Sequence, residues 1–249
     1  MAVAAAVVPE LATSRAKIPA QGAAQAQPLA MAGERLLPVL PVLESLFPAR
    51  ALRRGSVVSV AGSTSLALSL LAAASAQGSW CAGVALPSLG LAAAAELGVV
   101  LERFPLVPSP GRASGAGGWA WVVAALVDAF DVVLARPPAH LKGADARRLA
   151  ARARERGAVL VVSGSGWPEP AEVQLTVASA VWEGVGPGHG RLQARKVEVV
   201  AGGRGAAARE RRVALWLPHP DGGIRRIAPC TNGEEVVDER RAHARRVVS

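Results

Sequence analysis

Arg53 to Gly78 reads RRGSVVSVAGSTSLALSLLAAASAQG, and this stretch decides the fold. Gly55 introduces a short valine-rich run, Val57 to Val60, bounded by turn residues, which predicts a buried strand. Gly62-Ser63-Thr64-Ser65 breaks the run. Leu66 to Ala76 then places leucine and alanine on every side of a helix before Gly78 stops it. A helix that is apolar all round is a buried one.

A strand, a Gly/Ser/Thr turn and a buried helix form the frame on which a P-loop is built, but the chemistry of that loop is missing. A Walker A motif needs several glycines, so that backbone N–H groups can cradle phosphates, and a lysine to reach the terminal ones. Gly62 is the only glycine in the turn, and no lysine occurs between Lys17 and Lys142. The expectation is a nucleotide-binding fold without its nucleotide site, and with no cofactor.

Outward from this stretch, the pattern repeats. Trp80 to Leu86 predicts a second buried strand, with Ser88 as N-cap of a helix from Leu89 to Leu97. Val99 to Val107 predicts a short third strand, followed by a Pro/Gly/Ser loop from Pro108 to Gly118. Trp119, Val122, Val123, Leu126 and Phe130 recur at helical spacing, giving a helix over Gly118 to Ala129. Asp131 to Ala135 reads as a strand, Ala144 to Arg156 as a basic helix stopped by Gly157, and Ala158 to Val162 as another strand. Alternation of strand and helix implies an α/β fold with a largely parallel sheet covered on both faces. After Gly164 the period becomes two. Val173 to Val177, Ala180 to Trp182, Leu192 to Val200 and Arg212 to Leu217 read as antiparallel hairpins separated by Gly-rich turns at Gly184 to Gly190 and Gly202 to Gly205. Residues 1–32, rich in Ala, Gln and Pro, read as a disordered tail. The domain spans 33–218, and 219–249 reads as a flexible tail without core pattern.

The 249 residues carry a net charge of +9. Its location says more than its size. Lys142 to Arg156 holds six basic and two acidic residues, and Arg191 to Arg212 seven and two, so the remainder is neutral. Basic segments of this kind suit an acidic partner, nucleic acid above all, or else a solvated helix face and guarded sheet edges. Cys81 and Cys230 stand in unlike contexts and give neither a disulfide framework nor a zinc spacing. His140, His189, His219 and His243 are too scattered for a metal site. The N-terminus lacks a basic region and is cut by Pro9, so no signal peptide is read. The apolar run from Leu66 is too short to span a bilayer. A cytoplasmic protein without membrane contact is expected.

The order of elements resembles the RecA core and, more closely, a short actinobacterial RecA-like protein of the ImuA (ImuA-prime) type. The stretches that carry the resemblance are LPVLPVLESLFPARALRRGSVVSVAG, TSLALSLLAAASAQGSWC, ADARRLAARARERGAVLVV and WEGVGPGHGRLQARKVEVVAGGRGAAARERRVALWLP, together covering roughly Leu36 to Pro218. In a RecA core a catalytic glutamate ends the second strand and a Walker B aspartate the strand after the third helix. Laid onto this chain, Ser63 stands at the P-loop lysine and Thr64 at the hydroxyl position, while an ungapped register puts Leu68 at the lysine. The glutamate position falls near Pro87 and the aspartate position on Arg136. Phosphoryl transfer depends on metal and cationic clamping of developing charge, and the three groups that would supply it are replaced by Ser, Pro and Arg. No ATPase activity is expected.

Individual residues have plainer readings beside the functional ones. Arg136 reads as a phosphate or carboxylate contact at the carboxyl edge of the sheet, or more simply as an exposed loop arginine before two prolines. Thr64 and Ser65 read as helix caps rather than an anion site. Asp128 and Asp131 read as a helix end and a strand start rather than a carboxylate pair. Trp167, Trp182 and Trp216 read as core by default, with Trp216 the candidate partner contact. The resemblance implies a non-catalytic accessory role in DNA-damage-inducible translesion synthesis, with a Y-family-like polymerase or an adaptor of a mutasome as partner. The alternative is a DNA-binding protein that uses Lys142, Arg147, Arg148, Arg152, Arg191, Arg195, Lys196, Arg211 and Arg212. No aromatic is interleaved in either basic segment, which argues against strong single-strand binding. A homo-oligomer, as in a filament, stays open.

Overall fold

The computed structural model describes residues 36–109, 115–186 and 189–227. The expectations for the N-terminal tail, for Cys230 and His243, and for residues 110–114 and 228–249 fall outside the described residues.

Each valine-rich run predicted as buried is a strand of one nine-stranded sheet. A two-residue pair, β1 (Leu36–Leu37) with β2 (Leu52–Arg53), lies apart from it. Then follow β3 (Val57–Ala61), α1 (Thr64–Ala76), β4 (Cys81–Val84), α2 (Leu91–Glu96), β5 (Leu106–Val107), α3 (Gly115–Ala129), β6 (Val132–Ala135), α4 (Gly143–Arg156) and β7 (Val159–Ser163). After these come β8 (Val173–Gly186), β9 (His189–Gly203), β10 (Arg211–Trp216) and β11 (Arg225–Arg226). The strand order is β11-β10-β9-β8-β3-β7-β6-β4-β5. From β8 through β5 all neighbours are parallel, whereas β8 to β11 pair antiparallel. This α/β architecture, a mostly parallel sheet extended by C-terminal hairpins, is compatible with a RecA-like core.

Successive residues of a strand face opposite sides, and both faces are covered, so the runs of β3, β4, β6 and β7 are apolar almost throughout, Ser59 and Ser163 excepted. Val58, Val60, Val159 and Val161 join α1, α2 and the segment around Leu43, Leu46 and Phe47 in one cluster. Val57, Leu160 and Val162 join α3 and α4 in the other, with Trp119, Val123 and Leu149. Helix α1 buries nine of its residues, among them Leu66, Leu70 and Leu71, as expected of a helix apolar on all sides. Its two buried serines are satisfied locally, Ser69 donating to the Leu66 carbonyl at 2.7 Å and Ser75 accepting from the Val100 amide at 3.0 Å. Helix α4 ends as predicted at Gly157, whose φ of 69° is the left-handed conformation of a C-cap glycine.

Three local expectations are corrected. Ser88 caps nothing: Pro87-Ser88 lies in a turn closed by the Leu89 amide on the Leu86 carbonyl, and α2 starts two residues later, after Gly90. The run from Val99 to Val107 is not one strand, because Pro105 has no N–H to offer a ladder. Leu101–Arg103 is a 3-10 turn, and only Leu106 and Val107 pair. The hairpin strands are longer than their periodicity suggested. β8 runs unbroken over Val173–Gly186, with register shifts between Val177 and Ser179 and between Glu183 and Val185. A bulge reverses the in/out phase of a strand, so a period-two count loses it there. Beyond Pro218, where no core pattern is legible, Arg225 and Arg226 add an edge strand against Trp216 and Leu215.

Candidate functional site

Only Gly62 and Ser63 separate β3 from α1. Gly62 turns the chain with a φ of +84°, a conformation for which glycine has no steric penalty. Ser63 is extended, and its Oγ accepts from the Leu66 amide at 3.2 Å, capping the helix. The cap is therefore Ser63 and not Thr64 or Ser65, since Thr64 already has helical conformation as the first residue of α1. The Ser63 hydroxyl has a second partner. Arg195, reaching over from β9, donates Nη2 to Ser63 Oγ at 2.8 Å and Nε to the Leu217 carbonyl at 3.0 Å. Its guanidinium carbon stands 5.3 Å from the Trp182 ring centroid. Burial holds this guanidinium below the usual arginine range.

The two hydrogen bonds and the ring contact offset the cost of placing a cation at the positive end of a helix. Thus Ser63, which the resemblance to a RecA core puts at the P-loop lysine, carries a hydroxyl committed to a helix cap and to an arginine from a neighbouring strand. The residues that the resemblance puts at the catalytic glutamate and the Walker B aspartate, Pro87 and Arg136, lie farther along the same carboxyl edge. Arg136 directly follows β6, its amide bonded to the Val84 carbonyl at 3.1 Å, and Pro87 lies in the turn after β4.

The basic residues divide into three groups. On α4, Arg147 pairs with Glu169 at 2.6 Å, Arg148 with Asp145 at 3.5 Å, and Arg152 and Arg156 with Asp128 at 2.5 and 3.0 Å. Hydrogen bonding from Arg152, then from Arg156, holds the Asp128 carboxyl below the usual carboxylate range. Asp128 thereby clamps α3 to α4. Asp131, just before β6, accepts from Arg54 at 2.8 Å and from the Trp80 amide at 3.0 Å, a structural role that ties three chain segments together. On the hairpins, Arg212 pairs with Glu198 at 3.2 Å and Glu210 at 2.7 Å, while Lys196 pairs with Glu183 at 2.6 Å. Arg211 donates to the carbonyls of Arg209 and Ala206. Lys142 precedes α4 at its N-cap position, and Arg191 is exposed near the free end of the hairpin.

What sequence reading missed is produced by strand register. Trp182 lies directly opposite Arg195, and Trp216 directly opposite Lys196. Lys196 Nζ stands 4.7 Å above the Trp216 ring. Aromatic and basic side chains are therefore interleaved across strands although they are separate along the chain. Trp182 is also not a core residue, being 45% exposed, and it belongs to an apolar stretch of the hairpin with Val181 at 61%, Val185 at 59% and Leu192 at 57%. Trp167 and Trp216 are half-buried. Counting residues across the β8–β9 turn would have exposed the Trp182–Arg195 pairing, but the register shift between Glu183 and Val185 defeats the count.

The MT3502 N-terminal domain family matches residues 45–169, which include the closed turn, Pro87 and Arg136. The uncharacterized protein Rv3395c of Mycobacterium tuberculosis is 34% identical over 158 residues. The alignment spans 60% of this chain and 74% of that relative. Among the described residues no group of His, Cys, Asp and Glu is arranged to hold a metal ion, and no helix is long and apolar enough to cross a membrane.

Proposed function

The chain belongs to the MT3502 N-terminal domain family, and from that premise we propose that it is a non-catalytic RecA-fold accessory protein of the ImuA type, acting in DNA-damage-inducible translesion synthesis through protein contacts. The observation that carries this reading is the committed turn. A triphosphate cradle is built from free backbone N–H groups and a lysine. Here two residues span strand to helix, and Ser63 is engaged by the Leu66 amide and by Arg195. A scaffold without its phosphate chemistry leaves surfaces to carry function, and the exposed apolar stretch of the β8–β9 hairpin is the surface this reading assigns to a polymerase or adaptor. The test is affinity capture of the tagged full chain from DNA-damaged cells. Recovery of a Y-family-like polymerase or adaptor, reduced by Trp182→Ala with Val185→Ser, supports the proposal. Capture of neither counts decisively against it.

A second reading, direct binding of single-stranded DNA, draws support from the cross-strand pairing of Trp182 with Arg195 and of Trp216 with Lys196, since stacking platforms beside cations suit unpaired bases. Against it, most arginines of α4 are paired with carboxylates of the protein itself. Affinity for an oligothymidine measured at two salt concentrations separates the readings. Binding that falls steeply with salt supports DNA contact, and none at low salt removes it.

A further inference from the structure

A cavity of about 710 Å³ opens at the carboxyl ends of β4, β5 and β6, away from the β3–α1 turn. Its size suits a small organic ligand. Leu86, Leu106, Val107 and Trp119 line it with apolar surface, and Arg136 and His140 bring the polar groups. Two of these side chains are unspent. Trp119 is 3% exposed, yet its buried indole N–H has no acceptor among the described residues. Buried donors are nearly always paired, because an unmade hydrogen bond costs the full desolvation of the group. Arg136 is exposed and has no ion pair or side-chain hydrogen bond among the described residues, in contrast to the acid-paired arginines of α4.

The backbone at the cavity is also strained. Ala85, which lines it, has a φ of +56°, left-handed for a residue with a Cβ. Flanking ladder bonds hold it there, the Ala85 amide on the Val107 carbonyl at 3.1 Å and the Arg136 amide on the Val84 carbonyl at 3.1 Å. Strain of this kind persists where surrounding structure over-determines it and gathers at ligand sites.

We propose that this cavity binds a small apolar molecule bearing one carboxylate, with the apolar walls taking the body of the ligand, Arg136 pairing with its carboxylate and the indole N–H of Trp119 donating a hydrogen bond. The site is separate from the closed turn, so it stands or falls independently of the accessory role. A carboxylate fits Arg136 and Trp119 better than a neutral head, because it is an acceptor only and these two side chains are donors only. The cavity also accounts for Arg136 just after β6: an arginine where the resemblance puts an acidic metal ligand favours an anion and repels a cation.

The test is calorimetric titration of the full chain with 4-phenylbutyrate and with the neutral 4-phenylbutanol. The expected result is one site per chain, with the acid preferred over the alcohol by about tenfold, the worth of one charge-assisted hydrogen bond. Arg136→Ala is expected to abolish that preference while the alcohol binds as before, and Trp119→Phe to weaken both ligands or the acid alone by about threefold or more. Thermal midpoints of the two variants within a few degrees of the parent confirm folding. Equal binding of acid and alcohol, absence of binding by either, or an acid preference that survives Arg136→Ala overturns the proposal.

Discussion

Replacing Arg195 by methionine keeps much of the aliphatic stem and removes the guanidinium, and the structure fixes what is lost. Two hydrogen bonds disappear, Nη2 to Ser63 at 2.8 Å and Nε to the Leu217 carbonyl at 3.0 Å, together with the contact 5.3 Å above the Trp182 ring. Hydrogen bonds from a charged donor contribute about 1.5–3 kcal/mol each and a cation–π contact about 0.5–1 kcal/mol. Against this stands the desolvation that holds the arginine below its usual pKa range, and methionine recovers part of the apolar contact. A net loss of about 2 kcal/mol follows, well below the gross sum. Urea denaturation at neutral pH measures it, and a double-mutant cycle with Ser63→Ala isolates the Arg195–Ser63 coupling at about 1 kcal/mol. The same variant is expected to gain no affinity for Mg-ATP, since neither a lysine nor further glycines stand behind the arginine. A stability unchanged to within about 0.5 kcal/mol would refute the packing argument. Specific nucleotide binding by the variant would show instead that Arg195 merely plugs an intact cradle.

Other consequences are open to direct measurement. Gly62→Ala forces a Cβ to a φ of +84° and to 3.3 Å from the Val177 Cβ, so a loss of about 1–3 kcal/mol is expected in the same denaturation assay. Burial, and secondarily the charge of Asp131, pushes the Cys81 thiol up to about 12. In a Cys230→Ser background a thiol reagent at pH 8 should therefore label Cys81 only after denaturant is added, and rapid native labelling would contradict its burial. Asp128 has its folded pKa below its unfolded one, so its contribution is present above the unfolded value and is lost as pH falls through the folded one. The thermal midpoint gap between the parent and Asp128→Asn should be widest near neutral pH and close in strong acid. A gap independent of pH would mean that charge is not what couples α3 to α4.

The parallel half of the sheet was legible because its strands are buried on both faces and therefore appear as short runs dominated by valine and leucine. Val57–Ala61, Val132–Ala135 and Val159–Ser163 lie within a residue or so of where those runs place them. Helix α1 was legible for the same reason. The errors fall where one residue decides geometry: Pro105, which removes a donor, and Ser88, whose hydroxyl suits a cap that the chain begins two residues later. The candidate site was legible only by subtraction. Missing glycines and lysine are visible in the text, whereas the partner of Ser63 is 132 residues away and arrives through a hairpin whose register two bulges disguise. The pairing of Trp182 with Arg195 was hidden in the same way, whereas that of Trp216 with Lys196 joins β10 to β9 across the Gly202 to Gly205 connection. Local periodicity carries information about burial, and only the sheet carries information about neighbours across strands.

The proposed role supposes a scaffold whose phosphate site has been given over to internal contacts, and titration of the full chain with ATP in the presence of Mg²⁺ tests that most directly. The predicted result is no saturable heat of binding and no rise in thermal midpoint at millimolar nucleotide. One-to-one binding that Ser63→Ala or Gly62→Ala weakens would contradict it.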